Sequence, residues 1–233
     1  MSTSLLTKTA LGVLGAGTAT GGAIYFGTDL IGKEDVKTTT PIKELLKSVN
    51  PHKRLISKSE KGDSQEWKAA WKAYKGKYKD QDSNPFSLSK EKLKSSEGED
   101  NAPPEFMSQC SSMSGEKVVD GSDTKYQTVL SYCTRDALIS DLITEKNPKK
   151  ALLSESSDES GKWKASWQAY QAANTEKIQS KDKWGLSDWG TNNSSSDAPE
   201  SFKKECKKRY ESKTETASQD EYLNVLNWCT KTL

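Results

Sequence analysis

Residues 67–74 read WKAAWKAY, and residues 163–170 read WKASWQAY, so the two stretches are identical at six of eight positions. Trp67 and Trp163 are 163 − 67 = 96 positions apart, and the cysteines keep the same separation. Cys110 and Cys133 therefore have their counterparts in Cys206 and Cys229. A period this long indicates two tandem small domains rather than a solenoid of short repeats.

The composition limits what each copy can bury. The chain has 233 residues, of which 29% are charged and 32% hydrophobic, and its mean hydropathy is −0.86. Small domains with so little apolar surface need buried aromatics or a covalent link to stay folded. We predict five segments: a leader (1–8), a transmembrane signal anchor (9–28), a polar linker (29–40), helical repeat 1 (41–136) and helical repeat 2 (137–233).

Residues 9–28 carry no charge and are bounded by Lys8 and Asp29. A helix of this length would just cross a hydrocarbon core of about 30 Å. Three interpretations compete: an uncleaved signal anchor, a cleaved secretory signal and a soluble glycine-rich loop. We favour the anchor, so the partner of this segment is the lipid bilayer. The expected location is the cell membrane, with a single pass and the bulk of the chain extracellular, although the lysines after residue 28 alone favour the reverse orientation.

The pattern within each copy predicts an all-α fold, a small helical bundle. Trp67, Trp71 and Tyr74 follow the i, i+4, i+7 spacing of one helix face. A platform of these rings for a sugar or a cationic group is one interpretation, and a buried core is the other. We favour the core, because the repeats offer few other large apolar groups. Short helices at residues 41–49 and 137–145, each ended by Asn-Pro, precede the Trp helices, and two further helices close each copy.

The cysteines occupy apolar stripes on the last two helices of each copy. We predict the disulfides Cys110–Cys133 and Cys206–Cys229, and the alternative is four reduced core thiols. Each pair is 23 positions apart. In an ideal helical hairpin the two positions would be offset along the axis by about 10 Å, too far for a disulfide. The helices must therefore cross, or the turn between them must be displaced.

Two long polar loops, residues 80–102 and 180–198, separate the Trp helix from the final helices. Loops of this length inside small domains are often functional or disordered. A recognition surface and an unconstrained connector are the two interpretations. Exposed large rings are costly unless they dock on the domain or meet a partner. Phe86, Trp184 and Trp189 are accordingly the candidate partner-binding residues.

Several classes of function lack support in the sequence. The formal net charge is +2, with 35 basic and 33 acidic side chains, so nucleic-acid binding is not indicated. The chain has a single histidine, His52, and no metal-ligand spacing, phosphate loop or nucleophile motif. We therefore expect no catalytic residues, no metal and no cofactor. The sequence does not indicate an oligomeric state.

The leader at residues 6–12 has the form Leu-x-Lys-x-Ala-x-Gly, and the repeats end in Tyr132-Cys133 and Trp228-Cys229. With the Trp-x-x-x-Trp helices, this resembles the paralogous uncharacterised membrane-anchored proteins of haemotropic mycoplasmas. The resemblance implies a tethered protein of a wall-less bacterium that meets host cells and antibodies. We expect a non-enzymatic surface protein for host attachment or antigenic display, and the alternative is a structural envelope or scaffold protein without a host ligand.

Overall fold

The computed structural model describes residues 38–57, 60–94, 101–154 and 159–233. These residues divide into two compact units, and the division falls between Arg135 and Asp136. The leader, the segment 9–28 and residues 29–37 of the linker lie outside the described residues.

The described residues of repeat 1 form five helices and four short strands. In chain order they are β1 (Thr40–Pro41), α1 (Ile42–Val49), β2 (Lys53–Leu55), α2 (Gln65–Tyr78), α3 (Lys90–Lys94), α4 (Pro104–Ser114), β3 (Lys117–Val118), α5 (Thr124–Tyr132) and β4 (Thr134–Asp136).

The described residues of repeat 2 form five helices and two strands, with the four main helices in the same order. They are α6 (Ile139–Lys146), β5 (Lys150–Leu152), α7 (Ser160–Ala173), α8 (Trp189–Asn192), α9 (Glu200–Tyr210), α10 (Gln219–Trp228) and β6 (Thr230–Thr232). Helices α6, α7, α9 and α10 are the counterparts of α1, α2, α4 and α5.

The all-α prediction is wrong, because short strands join the ends of each repeat. β1 pairs with β3, β2 with β4, and β5 with β6. Where β1 meets β3 in repeat 1, repeat 2 has a single antiparallel bridge between Leu138 and Lys213. Strands of two or three residues are too short for an alternating pattern to reveal. Among the residues that the structure describes, no helix is both long and apolar enough to cross a membrane. The predicted anchor at residues 9–28 lies outside them.

Local capping explains where several helices begin. The Ser64 hydroxyl accepts a hydrogen bond from the backbone N–H of Trp67 at the start of α2. Ser218 does the same for Glu221 at the start of α10, as the capping pattern Ser-x-x-Glu predicts. The short helices α1 and α6 end at Asn50 and Asn147, directly before a proline. These signals lie within a few residues and are readable from the sequence.

Each repeat is built around its own aromatic core, as predicted for the Trp stripe. Trp71 and Trp167 are buried, and each packs on the phenylalanine of the helix that carries the first cysteine. The ring centroids are 5.1 Å apart in both Trp71–Phe106 and Trp167–Phe202. Burial of such rings supplies most of the apolar area available to domains of this composition.

The two predicted disulfides are confirmed. The Cα atoms are 5.4 Å apart in Cys110–Cys133 and 5.5 Å apart in Cys206–Cys229. The predicted axial offset between the two cysteines is removed because the connection between α4 and α5 is not a tight turn. It contains β3, which pairs with β1. Cys133 then follows the last residue of α5, where the chain passes the middle of α4. The displaced turn brings the two sulfurs together.

Candidate functional site

The long loop of repeat 1 is fastened to the core at the hydroxyl of Tyr74. This hydroxyl donates to Asn84 Oδ1 at 2.7 Å and accepts the backbone N–H of Phe86 at 3.0 Å. Asn84 Oδ1 also accepts the backbone N–H of Leu88 at 2.9 Å, and its Nδ2 donates to the Leu88 carbonyl. One side chain therefore closes the turn and attaches it to the end of α2.

Repeat 2 repeats this arrangement with a charged residue at its centre. Tyr170 donates to Asp182, and its hydroxyl accepts the backbone N–H of Trp184 at 3.0 Å. Asp182 also accepts the backbone N–H of Leu186 at 3.0 Å. Burial, and then donation to Asp182, hold the pKa of Tyr170 far above its usual value of 10.0. Burial also raises the pKa of Tyr74, so both tyrosines remain neutral hydrogen-bonding groups.

The sequence alone did not predict this shared loop motif, because its two copies are not 96 positions apart like the rest of the repeats. Residues 84–88 read NPFSL and residues 182–186 read DKWGL, which are 98 apart. Ser87 and Gly185 both have positive φ, 52° and 65°, so the turn has the same shape in both copies. The detectable signal is Asn or Asp, an aromatic two residues later, a small residue and leucine.

The structure places the three candidate partner-binding rings on the domain cores. Phe86 is 2% exposed and stacks on Tyr74, and Trp189 is fully buried. The Trp189 indole donates to the Glu176 carbonyl at 2.8 Å. Trp184 is half-buried and stacks on Phe202, with centroids 5.6 Å apart. These rings fasten the loops to the repeats.

The strongest difference between the repeats lies on one helix surface. α9 reads ESFKKECKKRY and carries five cationic and two acidic side chains, whereas its counterpart α4, PEFMSQCSSMS, carries one glutamate and no cation. Lys204, Lys207 and Lys208 are exposed, and they replace Ser108, Ser111 and Ser112. We call these three lysines the α9 basic face. The near-zero net charge of the whole chain conceals it.

Arg209 connects this helix to the docked loop. Its guanidinium lies over the Trp184 ring, 4.8 Å from the centroid, and it forms ion pairs with Glu205 at 2.9 Å and Glu221 at 3.6 Å. At the equivalent positions repeat 1 has Met113 and Phe86, so the cation and indole of one repeat replace an apolar pair in the other.

This exchange predicts energetic coupling between Arg209 and Trp184. We expect the single substitutions Arg209→Met and Trp184→Phe to destabilise repeat 2, and the double variant, which copies repeat 1, to recover about 0.5–2 kcal/mol of the summed loss. Urea unfolding of the four proteins measures the coupling. Strictly additive effects would show that the cation does not interact with the ring.

The described residues contain neither a candidate cluster of metal ligands nor a free thiol. Among them, no group of three or more histidine, cysteine, aspartate or glutamate side chains could hold a metal ion. Both cysteine pairs are oxidised, so the described part of the chain has no thiol nucleophile. No protein-family model, no curated protein and no solved structure matches the chain.

Proposed function

We propose that the chain is a non-enzymatic attachment module that acts outside the reducing cytoplasm, and that the α9 basic face binds an extended anionic surface of its partner. The observation that carries this proposal is the contrast between α9 and α4. The same scaffold folds in repeat 1 with serine at the three equivalent positions, so folding does not require the lysines of repeat 2.

The disulfides support the location. Cys206 and Cys229 are fully buried, and the disulfide between them joins the middle of α9 to the end of α10. Structural disulfides persist in oxidising compartments and are rare where glutathione keeps thiols reduced. Small domains that each contain an internal disulfide are typical of secreted and surface-exposed proteins.

The geometry supports an electrostatic mode of binding. Lys204, Lys207 and Lys208 recur at i, i+3 and i+4, so their ammonium groups emerge from one side of α9. Lys208 also contacts Glu205 at 3.4 Å with most of its side chain in solvent. Exposed lysines near a helix C-terminus are favourable to the helix itself. That benefit is only about 0.3–1 kcal/mol per charge. The serines at the equivalent positions of α4 show that the fold forms without it.

The charge of the three lysines and its screening by salt determine which partners the α9 basic face can bind. Three hydrated ammonium groups without an apolar centre favour partners that present several negative charges along a chain or a surface. The binding should be rapid and should weaken steeply as salt rises towards physiological ionic strength, where the screening length is about 8 Å. A partner held by apolar contacts would show little salt dependence.

The test is retention of the full chain on immobilised dextran sulfate, with uncharged dextran as the blank. The variant Lys204→Ser/Lys207→Ser/Lys208→Ser copies α4 and is expected to elute at a markedly lower salt concentration than the wild type. The matched control Lys72→Ser/Lys77→Ser/Lys79→Ser removes the same charge from exposed positions around α2. It should elute with the wild type.

The outcomes separate specific from general attraction. Equal loss of retention in both triple variants would show that only net charge matters, and it would overturn the assignment to α9. Unchanged retention in the α9 variant would do the same. Protease treatment of intact cells, followed by mass mapping, checks the location independently, because peptides from α9 should be released only if the repeat is displayed outside.

A further inference from the structure

Repeat 2 also has a polar concavity, which is separate from the α9 basic face. It has a volume of about 260 Å³ and lies where α7, α10 and the β5–β6 strand pair meet. Its walls combine cationic, hydroxyl, amide and small side chains: Lys150, Lys162, Ala165, Ser166, Ala169, Asn227, Thr230, Lys231 and Thr232. We call it the strand groove. None of its lining residues belongs to α9.

The charges of the strand groove are only partly neutralised. Lys231 pairs with Glu159, a buried carboxylate that also accepts the backbone N–H of Ser154 at 2.7 Å. Lys150 and Lys162 form no ion pair with another residue in the described part of the chain. Both lysines line the concavity, and no carboxylate of the described residues pairs with either of them. Such a site attracts anions.

The neutral lining offers hydrogen-bond donors beside these cations. Ser166 is buried on α7, and Asn227 extends from α10 into the same groove. The Thr230 hydroxyl already donates to the Leu226 carbonyl at 2.6 Å, so Ser166, Asn227 and Thr232 are the neutral side chains that remain to donate. Ammonium and hydroxyl donors converging on one small volume match the acceptor oxygens of an oxoanion.

Repeat 1 shows that this chemistry is not needed for the fold. At the positions of Lys162, Ser166 and Thr232 it has Glu66, Ala70 and Asp136. The first of these differences replaces a cation with a carboxylate and the last adds a second carboxylate, so the same place in repeat 1 is less cationic. Helices α2 and α7 nevertheless have the same length and the same buried aromatic face.

We propose that the strand groove of repeat 2 is a binding site for an oxoanion group, phosphate or sulfate, either free or as the ester of a larger molecule. Lys150 and Lys162 supply the charge, and Ser166, Asn227 and Thr232 supply neutral donors. The small alanines, Ala165 and Ala169, leave room for the group beside α7. The site does not depend on the α9 basic face, and either can be removed without the other.

The test follows backbone amide shifts of the isotope-labelled full chain by NMR during titration with inorganic phosphate or inorganic sulfate, at constant ionic strength in chloride. Saturable shifts are expected at residues 150–152, 166 and 230–232. Lys162→Glu, which copies Glu66, is expected to weaken the binding by at least tenfold. The matched control Lys164→Glu makes the same charge change two positions along α7, outside the groove, and should bind like the wild type.

Further titrations identify the source of the group. Glucose 6-phosphate presents a soluble ester, and vesicles of phosphatidylglycerol, compared with phosphatidylcholine, present a lipid phosphodiester. Stronger binding of any one of them than of inorganic phosphate supports the proposal and names the source. Absence of saturable shifts with all these probes would overturn it, as would equal weakening by Lys162→Glu and Lys164→Glu.

Discussion

Replacing Cys206 and Cys229 together by serine is expected to lower the free energy of unfolding of repeat 2 by about 3 kcal/mol. The disulfide closes a loop with a sequence separation of 23, and a closure of that size restricts the unfolded chain by roughly this amount. Both sulfurs are fully buried, so two serine hydroxyls in their place add a desolvation cost. A loss of this size is a large fraction of the stability of a small domain.

Urea unfolding followed by hydrogen exchange and mass spectrometry measures the effect separately in each repeat. The counterpart variant, Cys110→Ser/Cys133→Ser, should destabilise repeat 1 and leave the exchange of repeat 2 unchanged, because each disulfide lies within one compact unit. Reduction of the wild type with a phosphine separates the covalent link from the change of side chain. Identical unfolding of oxidised, reduced and substituted protein would contradict the prediction.

The helices and the core were readable from the sequence because their signals are local and repeated. Trp67, Trp71 and Tyr74 show the helical period directly. The second copy of the pattern in repeat 2 shows that this spacing is not accidental. The cysteine pairing followed from the same duplication. Its geometry did not, because the displacement of the turn depends on β3 pairing with β1, a contact between residues more than 70 positions apart.

The docked loops could not be predicted at the separation that aligns the rest of the chain. Two extra residues place Asp182 98 positions after Asn84. At the separation of 96 the two loop sequences therefore appear unrelated. Burial of Phe86 and Trp189 was equally hidden, since an isolated ring in a polar loop has no periodic neighbours. The lysines of the α9 basic face are present in the sequence, but the net charge of the whole chain, +2, does not reveal them.

The buried hydrogen-bonding centre of repeat 2 should be more sensitive to substitution than its surface. Tyr170→Phe removes the hydroxyl that binds Asp182 and the Trp184 N–H, leaving a buried carboxylate with fewer donors. We expect a loss of about 1.5–3 kcal/mol, the usual range for a hydrogen bond to a charged group. Asp182→Ala should cost at least as much, because it also releases the N–H of Leu186.

The two repeats provide the control for this prediction. Asp182→Asn reproduces the centre of repeat 1, where Asn84 accepts the same two kinds of hydrogen bond from Tyr74 and Leu88. It should therefore cost less than either substitution above, and Tyr74→Phe should cost less than Tyr170→Phe, because only a neutral amide is left unpaired. Urea unfolding measures all five proteins, and exchange of the Trp184 and Leu186 amides reports whether the loop detaches. If Asp182→Asn proved as damaging as Asp182→Ala, the charge of Asp182, and not the turn that it closes, would hold the loop on the core.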